Sequence, residues 1–172
     1  MPNSVYVQLM EKDADRAAIA GVRRELRAIK DGLKDKYGWE RDGWKQHVEG
    51  AMGELAASFA LGMPWSGEDI DQFKGADIGE NVQVRYRPGN FKDLSLRHGD
   101  KKSDVFVLVL PADPRNFIFE VVGWIEGKEA MTPRFYHEDK RLWFVPGYLL
   151  NDITKVPGYT PPVKDDPYSL WD

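Results

Sequence analysis

The sequence predicts an α/β fold in which two N-terminal helices precede a mixed central β-sheet flanked by helices. Three observations carry this expectation. Apolar residues recur at helical steps as far as Leu61, the period drops to two at Val82, and Asp104 to Leu110 is an almost unbroken apolar run. At 172 residues the chain is expected to form one domain over 1–156, followed by an irregular tail over 157–172.

The first helix is expected from about Asp13 to Lys36, a stretch rich in Ala, Arg, Glu, Leu and Lys. Ala17, Ile19, Val22, Leu26, Ile29 and Leu33 recur at steps of two to four and suit an amphipathic helix. Arg23, Arg27, Lys30 and Lys34 form a second stripe, read either as a solvated face or as a contact to phosphate. Tyr37-Gly38-Trp39 breaks the pattern. A second helix is expected from Asp42 to Leu61, with Val48, Met52, Leu55 and Phe59 as its buried stripe and Gly62 and Pro64 closing it. Beyond the loop of residues 62–74, Val82, Val84 and Tyr86 alternate with Gln83, Arg85 and Arg87 as a strand. Arg87-Pro88-Gly89-Asn90 is a turn, and Leu94 to Arg97 a short strand. The apolar run from Asp104 reads as a central strand buried on both faces. Phe117 to Ile125 and Arg141 to Val145 complete the sheet, and Tyr168, Leu170 and Trp171 could dock the tail on the body.

Composition removes several classes of function. The chain has no cysteine, which excludes disulfides, thiolate zinc sites and cysteine nucleophiles. No apolar run approaches the roughly 20 residues that cross a bilayer, and the N-terminus lacks the order of a signal peptide. A cytoplasmic location is therefore expected, in a host cell if the gene is phage-borne. The net charge of −4 argues against bulk attraction to nucleic acid, so any contact needs a local patch. Residues 81–102 offer one: Arg85, Arg87, Lys92, Arg97, Lys101 and Lys102 face only Asp93 and Asp100, as a basic patch or as a solvated hairpin. His47, His98 and His137 have no ligand spacing. Walker, GxGxxG and Gly-x-Ser-x-Gly elements are absent. Trp39, Trp44, Trp65 and Trp124 read as core or loop anchors, one of which could stack on a base.

The stretch Gly50 to Gly62 holds one ionisable residue, Glu54, which falls near Gly50, Ala51, Ser58 and Leu61 rather than beside Lys45 and Glu49. A carboxylate among small, mostly apolar neighbours must stay wet, find a partner or hold a metal. It is either a metal-site acid or a rim acid bonded to a basic neighbour or to Ser58. Asp77, in Gly75-Ala76-Asp77-Ile78-Gly79, is either a ligand or a turn aspartate. Gln83 and Arg85 share one face of their strand.

Taken in order, Gly53-Glu54-Leu55-Ala56, Gly75-Ala76-Asp77-Ile78, Asn81-Val82-Gln83-Val84-Arg85 and Asp104 to Val109 resemble the core motifs of the PD-(D/E)xK, or restriction-endonuclease-like, nuclease superfamily. Val122-Gly123-Trp124-Ile125, Gly127 to Ala130 and Trp143-Phe144-Val145-Pro146 resemble small phage and prophage members. The resemblance implies a restriction-endonuclease-like sheet and a metal-dependent phosphodiesterase cutting DNA, structured or branched DNA included. It implies a Mg²⁺ or Mn²⁺ ion held by Glu54, Asp77, the Gln83 side chain and the Val84 carbonyl, with Arg85 on the developing phosphate charge. Arg87, Lys101 and Lys102 would grip the nucleic-acid backbone. Relatives often act as homodimers. The sequence departs from the family at two positions. Gln83 replaces an acid, and Arg85 replaces a lysine that it cannot imitate as a base; Lys128 is a candidate relocated lysine. Two other readings stay open: a nuclease-fold protein that binds nucleic acid or a protein partner with little catalysis, and an unrelated interaction module.

Overall fold

A strand opens the chain ahead of the helices. Val5–Gln8 forms β1, in which Val5 and Val7 point into the core and Tyr6 points out. The computed structural model describes residues 3–32, 42–68 and 75–161. Leu33, Lys34, Tyr37, Trp39, the far part of the loop of residues 62–74, and Tyr168, Leu170 and Trp171 lie outside the described residues.

Helix α1 is Glu11–Lys30 and helix α2 is Gly43–Leu61. Asp42 caps α2 by accepting from the Lys45 amide, and Gly62 closes it at φ 62°, in the left-handed conformation glycine tolerates. The two helices approach so closely at Gly21 that a Cβ there would lie 2.5 Å from Val48 Cα. The expected α1 stripe is turned round. Ile19, Leu26 and Ile29 are 53%, 53% and 56% exposed, whereas Ala14, Ala17, Ala20 and Gly21 are buried. Small residues permit a close helix contact, and the bulky aliphatic residues are left on the outside. In α2 the core is equally small-sided. Ala51, Ala56, Ala57 and Ala60 are buried with Leu55 and Leu61, while Val48, Met52 and Phe59 are only half-buried. The C-terminal half of α2 is enclosed because α1 packs on one side and the sheet on the other.

The sheet strands are β2 (Val82–Tyr86), β4 (Val105–Asp113) and β5 (Ile118–Glu126), with β1 at one edge in the order β1-β5-β4-β2. β2 runs parallel to β4, whereas β4/β5 and β5/β1 are antiparallel, so the sheet is mixed. Residues Val105 to Leu110 are buried throughout, as their apolar run requires. Two cores result. One lies between this sheet and α2, and the other lies on the far face around Leu94, Leu96, Phe106, Leu108 and Val145.

That far face carries a separate second sheet rather than more strands of the first. β3 (Asp93–Leu96), β6 (Tyr136–His137) and β7 (Leu142–Pro146) pair in the order β3-β7-β6. The short helix α3, Gly127–Ala130, follows β5 directly. Gly127 lets it approach the Lys101–Lys102 backbone, where a Cβ would meet Lys101 O at 2.6 Å. Of the C-terminal stretch, Thr160 N–H donates to Leu61 O, and Tyr159 packs on the first core. No helix among the described residues is long and apolar enough to cross a membrane.

Candidate active site

The free edge of β2 is where Asp77 and the Val84 backbone meet, with Glu54 and Arg85 near enough to act on the Asp77 charge. Residues 64–66 and 76–79 form a narrow ribbon beside it, in which Ser66 N–H donates to Asp77 O and Gly79 N–H to Pro64 O. Ile78 exchanges both backbone bonds with Val82. This ribbon places the Asp77 side chain alongside the strand, where Oδ2 accepts the Val84 N–H at 2.8 Å. The N–H and C=O of one strand residue lie on the same side, so the Val84 carbonyl faces this edge as well.

Glu54 reaches the same region from α2. It is only 8% exposed, and its charge acts on Asp77. Burial first, then Glu54, pushes the Asp77 carboxyl up to about 7, while the Val84 amide, Arg85 and Arg24 pull it down. Asp77 therefore sits beside a second carboxylate with too little positive charge to hold it ionised at its ordinary value.

At this position Glu54 has the basic neighbour that one of its two readings expects. Arg24, from α1, grips the carboxylate with two hydrogen bonds of 2.8 and 2.7 Å, and the Trp65 indole N–H adds a third at 3.0 Å. Burial works against the Arg24 charge, but Glu54, and behind it Asp77, hold its pKa above the ordinary value. Ser58 takes no part, since its hydroxyl donates to Leu55 O. Arg16 lies over the Trp65 ring and pairs with Glu68, which fixes the indole from outside.

Gln83 and Arg85 emerge on the opposite face of β2 from α2. Gln83 donates its side-chain N–H to Asp104 at 3.2 Å. Arg85 donates to Asp100 at 2.6 Å and to Ser95 O at 3.2 Å, and lies over the Phe106 ring. One of its nitrogens comes within 3.5 Å of the Val84 carbonyl, so the guanidinium wraps back to the edge where its charge acts on Asp77. Arg87 bonds the Ser95 hydroxyl one turn of the pleat further on. Lys101 and Lys102 are exposed, with their backbone carbonyls turned to Asp104 N–H and Lys128 N–H respectively. Lys128 pairs with Glu126 at the surface and is not among the charges acting on Asp77.

The structure thus draws Glu54, Asp77, Val84 and Arg85 to one edge and turns the Gln83 amide toward Asp104. Sequence reasoning missed Arg24, Trp65, Asp100 and Asp104. Arg24 had a usable signal, because it lies two helical turns from Ala17 on the small-residue face of α1. Asp100 and Asp104 had none, since only the fold brings them under β2. Among the described residues no three His, Asp or Glu side chains gather as a metal cluster. No protein-family model, curated protein or solved structure matches this chain.

Proposed function

We propose that the protein is a metal-dependent nuclease that cuts DNA at the β2 edge, with a homodimer as the form that addresses two strands. One observation carries the reading. A helix glutamate and a strand arginine, which flank Asp77 in the order the motif resemblance requires, both act on the Asp77 charge at that edge, where its carboxylate accepts the Val84 N–H. The donor set suits a hard divalent ion, because Asp77 uses Oδ2 for the Val84 N–H, no hydrogen bond among the described residues reaches its Oδ1, and the Val84 carbonyl faces the same strand edge. Asp77, the Val84 carbonyl and Glu54 would hold Mg²⁺ or Mn²⁺, while Gln83, turned toward Asp104, would stand outside this donor set. The ion supplies Lewis-acid polarisation of a phosphoryl oxygen and an acidified water.

The chain's own residues do the rest. Arg85 presents a fixed positive charge to the phosphate and cannot take a proton from water. Arg24 and Trp65 set the Glu54 carboxylate in one orientation; Oε2 accepts from both and Oε1 from Arg24 alone, which leaves Oε1 a remaining lone pair. Arg87, Lys101 and Lys102 offer charges to the backbone without reading bases.

A second reading is favoured by the Arg24 clamp. A glutamate already neutralised by a bidentate arginine has less charge to give a metal, as expected of a nuclease-fold protein that binds nucleic acid or a protein partner without cutting. Incubation with plasmid, single-stranded and branched DNA in Mg²⁺, Mn²⁺ or EDTA separates the two. Metal-dependent cleavage of any substrate supports the first. Cleavage of none, with binding that persists in EDTA, supports the second.

A further inference from the structure

The outer face of the second sheet carries a connected ladder of rings and cations, of which Arg87 alone has a role in the proposed reaction. Phe91 is 66% exposed, and the Arg87 guanidinium lies over its ring at 5.3 Å. The same guanidinium lies 5.8 Å from the ring centre of Phe144, which also faces Lys140 at 5.2 Å and the His137 ring at 5.1 Å. Phe144 stands opposite Ser95 in the β3/β7 register. Ser95 in turn joins the ladder to the edge site, because its carbonyl accepts from Arg85 and its hydroxyl bonds Arg87.

A solvent-facing phenylalanine between the turn at residues 89–90 and β3 contributes little to folding, and hydrophobic cover alone would not set a cation on it. The arrangement has the chemistry of a surface that takes flat, unpaired bases on its rings and phosphates on the cations between them. Duplex DNA hides its base faces and could meet only the cations. We infer that Phe91, Arg87, Phe144 and Lys140 form a stacking platform for single-stranded nucleic acid leading to the β2 edge. This rests on the nuclease reading for its direction and names the strand form the site receives. Glu138 and Asp139 share the β6–β7 turn with Lys140, so bulk positive charge is modest and stacking carries the affinity.

Fluorescence anisotropy in EDTA, with a labelled oligothymidylate and a matched duplex, tests the platform independently of cleavage. Wild-type protein should bind the single strand more tightly than the duplex. The log–log salt slope should be shallow, about −1.4 for two phosphates. Phe91→Ala, at an exposed position, should weaken single-strand binding roughly tenfold and leave duplex binding unchanged. Phe144→Leu should act in the same direction, and unfolding curves identify any loss due to misfolding. Equal affinity for the two DNA forms, or a Phe91→Ala protein that binds the single strand as wild type does, overturns the platform. The nuclease reading is scored separately, by metal-dependent cleavage of plasmid. Platform binding without cleavage removes the nuclease alone, and cleavage without preference for single strands removes the platform alone.

Discussion

Asp77 and Arg24 show how a single side chain carries the chemistry of the β2 edge. An aspartate in the unfolded chain titrates near 3.8, and in the folded protein Asp77 is pushed up to about 7. Between those values the folded state keeps a proton that the unfolded state has released, so stability falls as pH rises from about 4 to about 7 and then levels off. Urea denaturation at pH 5 and pH 8 should show this slope in the wild type and a reduced one in Asp77→Asn; identical slopes would contradict the burial argument. Arg24 acts in the opposite sense. Arg24→Ala leaves Glu54 buried with only the Trp65 indole, and should cost about 3 kcal/mol by the usual penalty for stranding one member of a buried pair. A thermal or urea midpoint near wild type would show that water reaches Glu54 and that the clamp is not structural.

At the scale of elements, the α1–α2 contact decides where Arg24 sits. Gly21 lies against the Val48 and His47 backbone, so Gly21→Ala has no flexible side chain to displace. It should destabilise by about 2 kcal/mol through overpacking, although alanine is the better helix former. Chemical denaturation checks this, and a stabilised Gly21→Ala protein would show that α1 can move away freely. The same contact explains what the sequence could and could not reveal. Helix α2, the β2 alternation and the buried β4 run were legible because capping, period two and an unbroken apolar stretch are local signals. The inward face of α1 was not, because Ile19, Leu26 and Ile29 outweigh Ala17, Ala20 and Gly21 on any hydrophobic scale. Close helix packing selects small residues, and that preference belongs to the partner rather than to the sequence. Strand β1 was missed because four residues ahead of a helix leave no period to count. The second sheet was missed because strands of four, two and five residues acquire a face only by covering Leu108 and Phe106.

For the molecule as a whole, the edge of β2 is where α1, α2, the ribbon of residues 64–66 and 76–79 and the second sheet all contribute. Glu54 and Asp77 stood out in the sequence by placement, as acids among small and apolar neighbours. Their clamp from Arg24 and the anchoring of Arg85 on Asp100 depend on tertiary structure and could not be read in advance. The outward stripe of α1 is the large aliphatic surface left over, and sedimentation velocity reads directly whether copies pair. In the proposed reaction the two carboxylates, Glu54 and Asp77, act together in phosphodiester cleavage. Nicking of supercoiled plasmid in Mn²⁺ at pH 8, by wild type and by folded Asp77→Asn, tests it most directly. Wild-type nicking that falls at least about 100-fold in the variant is expected, given the usual cost of losing a catalytic charge contact. Nicking by Asp77→Asn at the wild-type rate, or none by either protein, would contradict it.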